Sequence, residues 1–139
     1  MRLVYNFDMH KRVSTLFQLV PIFILILAIT ARLVPGLRTI DDAFITYRYA
    51  RNILAGNGFV YNPGEHVLGT TTPFYTILLV IFGSMSGGAS APLAQISLII
   101  NALADAITCL LLLDLGKRFG SPRAGWGAAL AGCFTTVWV

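Results

Sequence analysis

Apolar residues come in long blocks along this chain, and the breaks between the blocks are short and polar. Val13 to Leu33 carries no charge until Arg32 and has about the twenty residues that cross a bilayer as a helix. Pro21 falls in its first half, where a membrane helix tolerates a kink. A cleaved signal peptide is the rival reading, since Ala28 to Ala31 offers small residues. The apolar stretch is longer than a signal core. Pro73 to Phe82 is apolar over only about ten residues, which suits a re-entrant or interfacial segment. Gly83 to Ala91 is small and uncharged; Pro92 to Leu115 is again long enough to span. From Ala124 the chain turns apolar once more and runs so to Val139.

Between the first two blocks, residues 34 to 72 form a polar loop with structure of its own. Pro35-Gly36 ends the first span. A helix is predicted over 40–55, with Thr39 as its cap and Asp42 three residues on. Phe44, Tyr47, Ala50 and Leu54 would form its apolar stripe. Asn57-Gly58 ends that helix or turns the chain. Phe59 to Tyr61 and His66 to Leu68 are β-type runs around Asn62-Pro63-Gly64-Glu65, where Pro-Gly suits a type II turn. A small hairpin is expected there. Thr70, Thr71 and Thr72 stand where they would cap the segment that begins at Pro73.

Composition changes this picture little and sharpens it. The chain of 139 residues is 56% hydrophobic and 12% charged, about half the charge fraction of a soluble domain. The reading is an all-α integral membrane protein. A net charge of +4 without a basic tract gives no sign of a nucleic-acid partner. Cys109 and Cys133 lie inside apolar runs and imply no disulfide framework. Cationic clusters at Arg2, Lys11 and Arg12 and at Lys117, Arg118 and Arg123 both belong on the cytoplasmic side. That holds when 73–83 dips into the membrane without crossing. The order is then a span over 13–33, an extracytoplasmic loop over 34–91, a span over 92–115 and another from 124. Four spans are the alternative. The last block ends without a flank, so the chain reads as the N-terminal part of a larger membrane protein.

Candidate chemistry sits in the loop. Asp41 and Asp42 fall in the first turn of the 40–55 helix, beside the expected membrane edge. Free backbone N–H groups there favour ionised carboxylates, the form a general base needs. Arg48 and Arg51 follow at helical spacing; a guanidinium matches phosphate geometry. Ordinary surface-helix chemistry, acids first and cations last, accounts for the same pattern. Asp105 lies near the middle of a span with Asn101 four residues before it. It would serve a polar path or an interhelical hydrogen bond. Asp114 reads as an interfacial charge, and Glu65 and His66 as solvated loop residues.

Three runs carry a resemblance: Asp41 to Asn52, Gly56 to Glu65, and Gly69 to Thr76. They resemble the start of bacterial polytopic glycosyltransferases of the GT-C fold, a class with protein mannosyltransferase-like and arabinofuranosyltransferase-like members. The resemblance implies a multi-pass enzyme of the bacterial inner membrane with an incomplete GT-C-like domain here. It implies transfer of a sugar from a polyprenyl-phosphate donor to a glycan, lipid or protein acceptor hydroxyl outside the cytoplasm, with inversion. Asp41 corresponds to the family's leading loop carboxylate, base or acceptor-orienting group, with Asp42 beside it. Arg48 or Arg51 would meet the leaving phosphate. The cofactor stays open: a divalent metal needs about six oxygens, and one acidic pair does not supply them. The competing readings are a transporter fragment built around Asp105 and a small membrane assembly subunit.

Overall fold

The computed structural model describes residues 19–37, 41–65, 67 and 69–134. They form α1 (Leu19–Leu33), α2 (Asp41–Leu54), α3 (Pro73–Met85), α4 (Leu93–Arg118) and α5 (Pro122–Phe134), with a 3₁₀ turn at Gly88–Ser90. Two compact units divide them. One gathers α1, α4 from Ala102 onward, and α5; the other gathers α2, α3, the 3₁₀ turn and α4 up to Asn101.

In the first unit, buried positions recur at helical spacing. Ile24 and Ala28 from α1, Ala106, Cys109 and Leu113 from α4, and Ala129 and Cys133 from α5 make one core. Most of these side chains are small, so backbones approach closely. A Cβ added to Gly116 would lie 2.5 Å from Gly125 Cα, and one added to Gly125 would lie 3.0 Å from Leu112 O. The turn that permits this crossing is set by Gly120 at φ +70°. Ser121 N donates to Gly116 O and Gly120 N to Lys117 O, a Schellman closure, and Pro122 then opens α5. Asp105 is engaged by Arg32 of α1, whose Nε donates to its Oδ2 at 2.6 Å. The carboxylate expected at bilayer depth therefore faces a cation on a neighbouring helix.

α4 has 26 residues, and an 18-residue stretch of it has mean hydropathy 2.2; the helix is about 39 Å long against ~30 Å of hydrocarbon. Ile99, Leu103, Ile107, Leu111 and Leu115 all stand exposed along it. Among the described residues it is the one helix long and apolar enough to cross a membrane; α1 and α3 are apolar but shorter. Several spans were expected. Part of the first apolar block (13–18) and the end of the last (135–139) lie outside the described residues, as do Arg2, Lys11 and Arg12.

In the second unit, Tyr47, Ala50, Leu79, Ala91, Leu93 and Ile96 form the core. Gly83 lets α3 approach: a Cβ there would lie 2.8 Å from Leu54 Cδ1. α2 stops at Leu54 because Gly56, at φ +82°, closes it, with Gly56 N on Ile53 O and Asn57 N on Asn52 O. The stop thus falls at Gly56, ahead of the expected Asn57-Gly58. Asn62 to Glu65 is a type II turn, with Gly64 at φ +88° and Glu65 N on Asn62 O at 3.1 Å.

Among the described residues the first arm of the expected hairpin does not form: residues 59–61 are not a strand. The carbonyls of Val60 and Tyr61, which a ladder would need, are taken by α2. Asn52 Nδ2 donates to Val60 O and Tyr61 O, both at 2.8 Å. His66 and Leu68 lie outside the described residues. The threonine cap is also corrected. Thr72 stands at the N-cap of α3 but makes no side-chain cap bond. Its hydroxyl meets Thr46 Oγ1 at 3.1 Å, and its carbonyl accepts from Thr76 N and Oγ1.

Candidate functional site

α2 carries acids in its first turn and Arg51 in its last, the arrangement its own dipole favours. Thr39 and Ile40 lie outside the described residues, so its cap is not part of the description. Packing departs from the expected stripe. Thr46, Tyr47, Tyr49 and Ala50 are buried, whereas Phe44 is 56% exposed and meets Tyr47 edge-on at 5.9 Å. α2 is covered on two flanks, by α3 and the 3₁₀ turn on one and by its own following loop on the other.

That loop is held by three side chains. Arg48 Nε donates to Tyr61 O at 3.0 Å and Nη2 to Asn62 Oδ1 at 2.6 Å, with the guanidinium 4.4 Å from the Tyr61 ring centre. Asn52 takes the two carbonyls already named. Tyr49, fully buried, donates its hydroxyl to Val67 O at 2.5 Å and accepts from Gly69 N at 2.7 Å. Asn62 in turn donates to Glu65 Oε2 at 3.0 Å. Tyr49, Asn52, Asn62 and Tyr61 were not singled out from the sequence. A usable signal was present: Arg48, Tyr49 and Asn52 share one side of the helix, opposite its small residues.

Beside this loop lies a cleft of ≈ 520 Å³. Phe44, Tyr47, Leu93 and Pro92 give it an apolar wall; Arg48, Arg51, Asn52 and Gln95 give it a polar one. Arg48 enters it pre-oriented, with two of its five N–H groups committed to the loop. Arg51 makes no side-chain hydrogen bond or ion pair among the described residues and stands exposed.

The two acids differ in direction. Helical advance of about 100° per residue puts Asp41 within about 20° of the bearings of Arg48 and Asn52, toward the Asn52 edge of the arc that lines the cleft. Asp42 falls about 100° round, close to the bearing of Tyr49. Both are exposed. Asp41 lies about 10 Å along the axis from Arg48. The two guanidinium groups line the cleft, where they can meet an anionic ligand; Asp41 lies on the same side of the helix, a turn and more before them, outside the lining. Among the described residues no three His, Cys, Asp or Glu side chains cluster as a metal site would require.

Deeper in the unit, Tyr75 Oη and Ser97 Oγ hydrogen-bond at 2.7 Å. Tyr47 Oη is buried beside them without a hydrogen-bond partner among the described residues. Burial pushes its phenol above the ordinary 10.0; nearby Ser97 offsets part of this without reaching hydrogen-bond geometry, and Tyr75 adds to it. Asn101 and Asp105 turn to different partners: Asn101 Nδ2 reaches Ser97 Oγ at 3.5 Å, and Asp105 pairs with Arg32. Asp114 accepts from Arg118 Nε at 2.6 Å, an exposed pair one turn apart.

No family model matches the chain, and no solved structure matches it. Among curated proteins it is similar to a terminal beta-(1->2)-arabinofuranosyltransferase of Mycobacterium tuberculosis (strain ATCC 25618 / H37Rv). The two are 31% identical over 100 residues, which is 71% of this chain and 16% of that protein. The chain is therefore distantly similar to a glycosyltransferase and spans 16% of the length of that relative.

Proposed function

We propose that this chain forms part of a GT-C-type glycosyltransferase of the bacterial inner membrane, a multi-pass protein. It transfers a sugar from a polyprenyl-phosphate donor to an acceptor hydroxyl on the extracytoplasmic side, with inversion. The observation that carries the reading is the likeness to an arabinofuranosyltransferase, which makes a pentofuranosyl donor the first to try. The geometry of α2 supports it with a carboxylate and two guanidinium groups on one face.

In this mechanism Asp41 accepts the proton of the acceptor hydroxyl. The oxygen attacks the anomeric carbon from the face opposite the phosphate. The bond between that carbon and the phosphate oxygen breaks, and the lipid phosphate leaves with the electron pair. Arg51, and the N–H groups that Arg48 does not use on the loop, neutralise the phosphate as its charge grows. Asp42, turned toward the Tyr49 flank, supports the helix start. The transporter reading draws less support, because Asp105 is engaged by Arg32.

The test is sugar transfer from a polyprenyl-phosphate donor in membranes that hold the full-length protein, at matched expression. Asp41→Asn keeps the shape and removes the basic oxygen, so its rate is expected to fall roughly 10²–10⁴-fold. Asp42→Asn is expected to stay within about tenfold of wild type, since loss of a helix-dipole contact is worth only about 0.3–1 kcal/mol. Near wild-type turnover by both variants would make the pair structural. A dead Asp42→Asn with an active Asp41→Asn would keep the reaction and move the base.

A further inference from the structure

The α4–α5 turn has a chemistry that the proposed reaction does not use. Lys117, Arg118 and Arg123 are all exposed around it. Asp114 is the one carboxylate nearby in sequence, and Arg118 takes it. Three cations against one acid leave the turn positive. Beside it a hollow of ≈ 400 Å³ is lined by Gly120, Ser121, Pro122, Arg123 and Trp126. Phe119, at the turn itself, is 80% exposed.

The apolar surface leading to this turn is continuous. Leu103, Ile107, Leu111 and Leu115 recur every fourth residue of α4, each 49% to 63% exposed, and Phe119 is the next step in the same row. An acyl chain that fills half of a ~30 Å hydrocarbon core lies along about ten helical residues. That is the distance from Phe119 back to about Cys109. The part of this row from Ile107 to Phe119, about 18 Å of helix, is close to one leaflet in length, and ending beside a positive hollow it has the shape and charge of one phospholipid with an anionic head.

We infer that the α4–α5 turn binds an anionic phospholipid. Lys117 and Arg123 hold its headgroup phosphate at the hollow, and its acyl chain lies on the Ile107–Leu111–Leu115 row. This does not rest on the glycosyltransferase reading. Net positive charge selects an anionic head over a zwitterionic one, because each cation near such a surface adds about fivefold in affinity.

The experiment uses the full-length protein in detergent micelles and takes the Trp126 signal as the difference between the protein and its Trp126→Phe variant. The fluorescence of Trp126 is quenched by phosphatidylglycerol brominated along its acyl chains, and by phosphatidylcholine brominated in the same way. Stronger quenching by phosphatidylglycerol is expected at equal mole fraction. Lys117→Gln with Arg123→Gln should weaken that preference about 25-fold, and Arg123→Lys should largely keep it. Both side chains are exposed, so unchanged helical content by circular dichroism checks that the variant is folded. Equal quenching by the two lipids, or a preference unmoved in the folded double variant, would overturn the inference. So would millimolar inorganic phosphate displacing the brominated phosphatidylglycerol, since the site would then take free phosphate.

Discussion

At the scale of single residues, Arg48 and Arg51 look interchangeable in sequence and differ in structure. Arg48 is tied to Tyr61 O and Asn62 Oδ1 and lies over the Tyr61 ring; Arg51 has no such ties among the described residues. Arg48→Ala should therefore lower stability by about 1–2 kcal/mol, the worth of two exposed hydrogen bonds and a stacked cation. Arg51→Ala should stay within about 0.5 kcal/mol of wild type while slowing transfer. Denaturant unfolding in detergent and transfer rates, measured on the same variants, would separate the two roles. Equal stability of the two variants would remove Arg48 from the loop's support. Tyr47 gives a prediction in pH. Burial raises its phenol pKa in the fold, while the unfolded chain titrates near 10.0. The stability held by the neutral phenol is complete below pH 10 and is lost as pH rises from there through the higher folded value. Thermal midpoints measured between about pH 9 and 11.5 should fall less steeply for Tyr47→Phe. At neutral pH that variant should be neutral to about 1 kcal/mol more stable, since it removes a buried hydroxyl that has no partner among the described residues.

At the scale of elements, the glycines of α4 and α5 divide by what surrounds them. Gly116 and Gly125 face each other with no room for a methyl group, whereas Gly127 has nothing within 4 Å. Gly116→Ala and Gly125→Ala should each cost about 1–3 kcal/mol or more, because backbone would have to move. Gly127→Ala should stabilise by about 0.5–1 kcal/mol through helix propensity alone. Thermal unfolding of the three variants in one detergent checks the order, and a tolerated Gly116→Ala would mean the helices do not cross there. Much of α2 was legible beforehand: an expected 40–55 against an observed Asp41–Leu54, with acids first and a glycine after its end. Its buried face was not legible. Tyr49 is covered where Val67 and Gly69 fold back onto its hydroxyl, Thr46 meets Thr72 at the start of α3, and no periodicity within α2 announces a partner from outside it. Phe59 to Tyr61 misled for a related reason. Their side chains suit a strand, but Arg48 and Asn52 occupy the carbonyls a strand would need.

At the scale of the whole molecule, membrane topology is the open quantity, and α3 decides it. Its 13 residues span about 20 Å, short of a ~30 Å core. If α3 does not cross, residues on either side of it face the same compartment, and the α4–α5 turn faces the other. Single cysteines at Asn57 and Ser90 should be modified by a membrane-impermeant reagent added outside, and one at Ser121 should not, in a Cys109→Ala, Cys133→Ala background. Labelling of Ser121 with protection of Ser90 would mean that α3 spans. The amino-acid sequence alone determined where the chain is apolar and helical, where Pro35-Gly36, Gly64 and Pro73 punctuate it, and which carboxylates stand at a helix start. Those features depend on a residue and its neighbours within a turn or two. Tertiary structure decided which residues of α2 and α4 line a common cleft, which arginine is held by the loop, why Asp105 meets Arg32, and which glycines touch. Each of these depends on groups distant along the chain, whose meeting is set by packing and hydrogen bonding that no local pattern encodes.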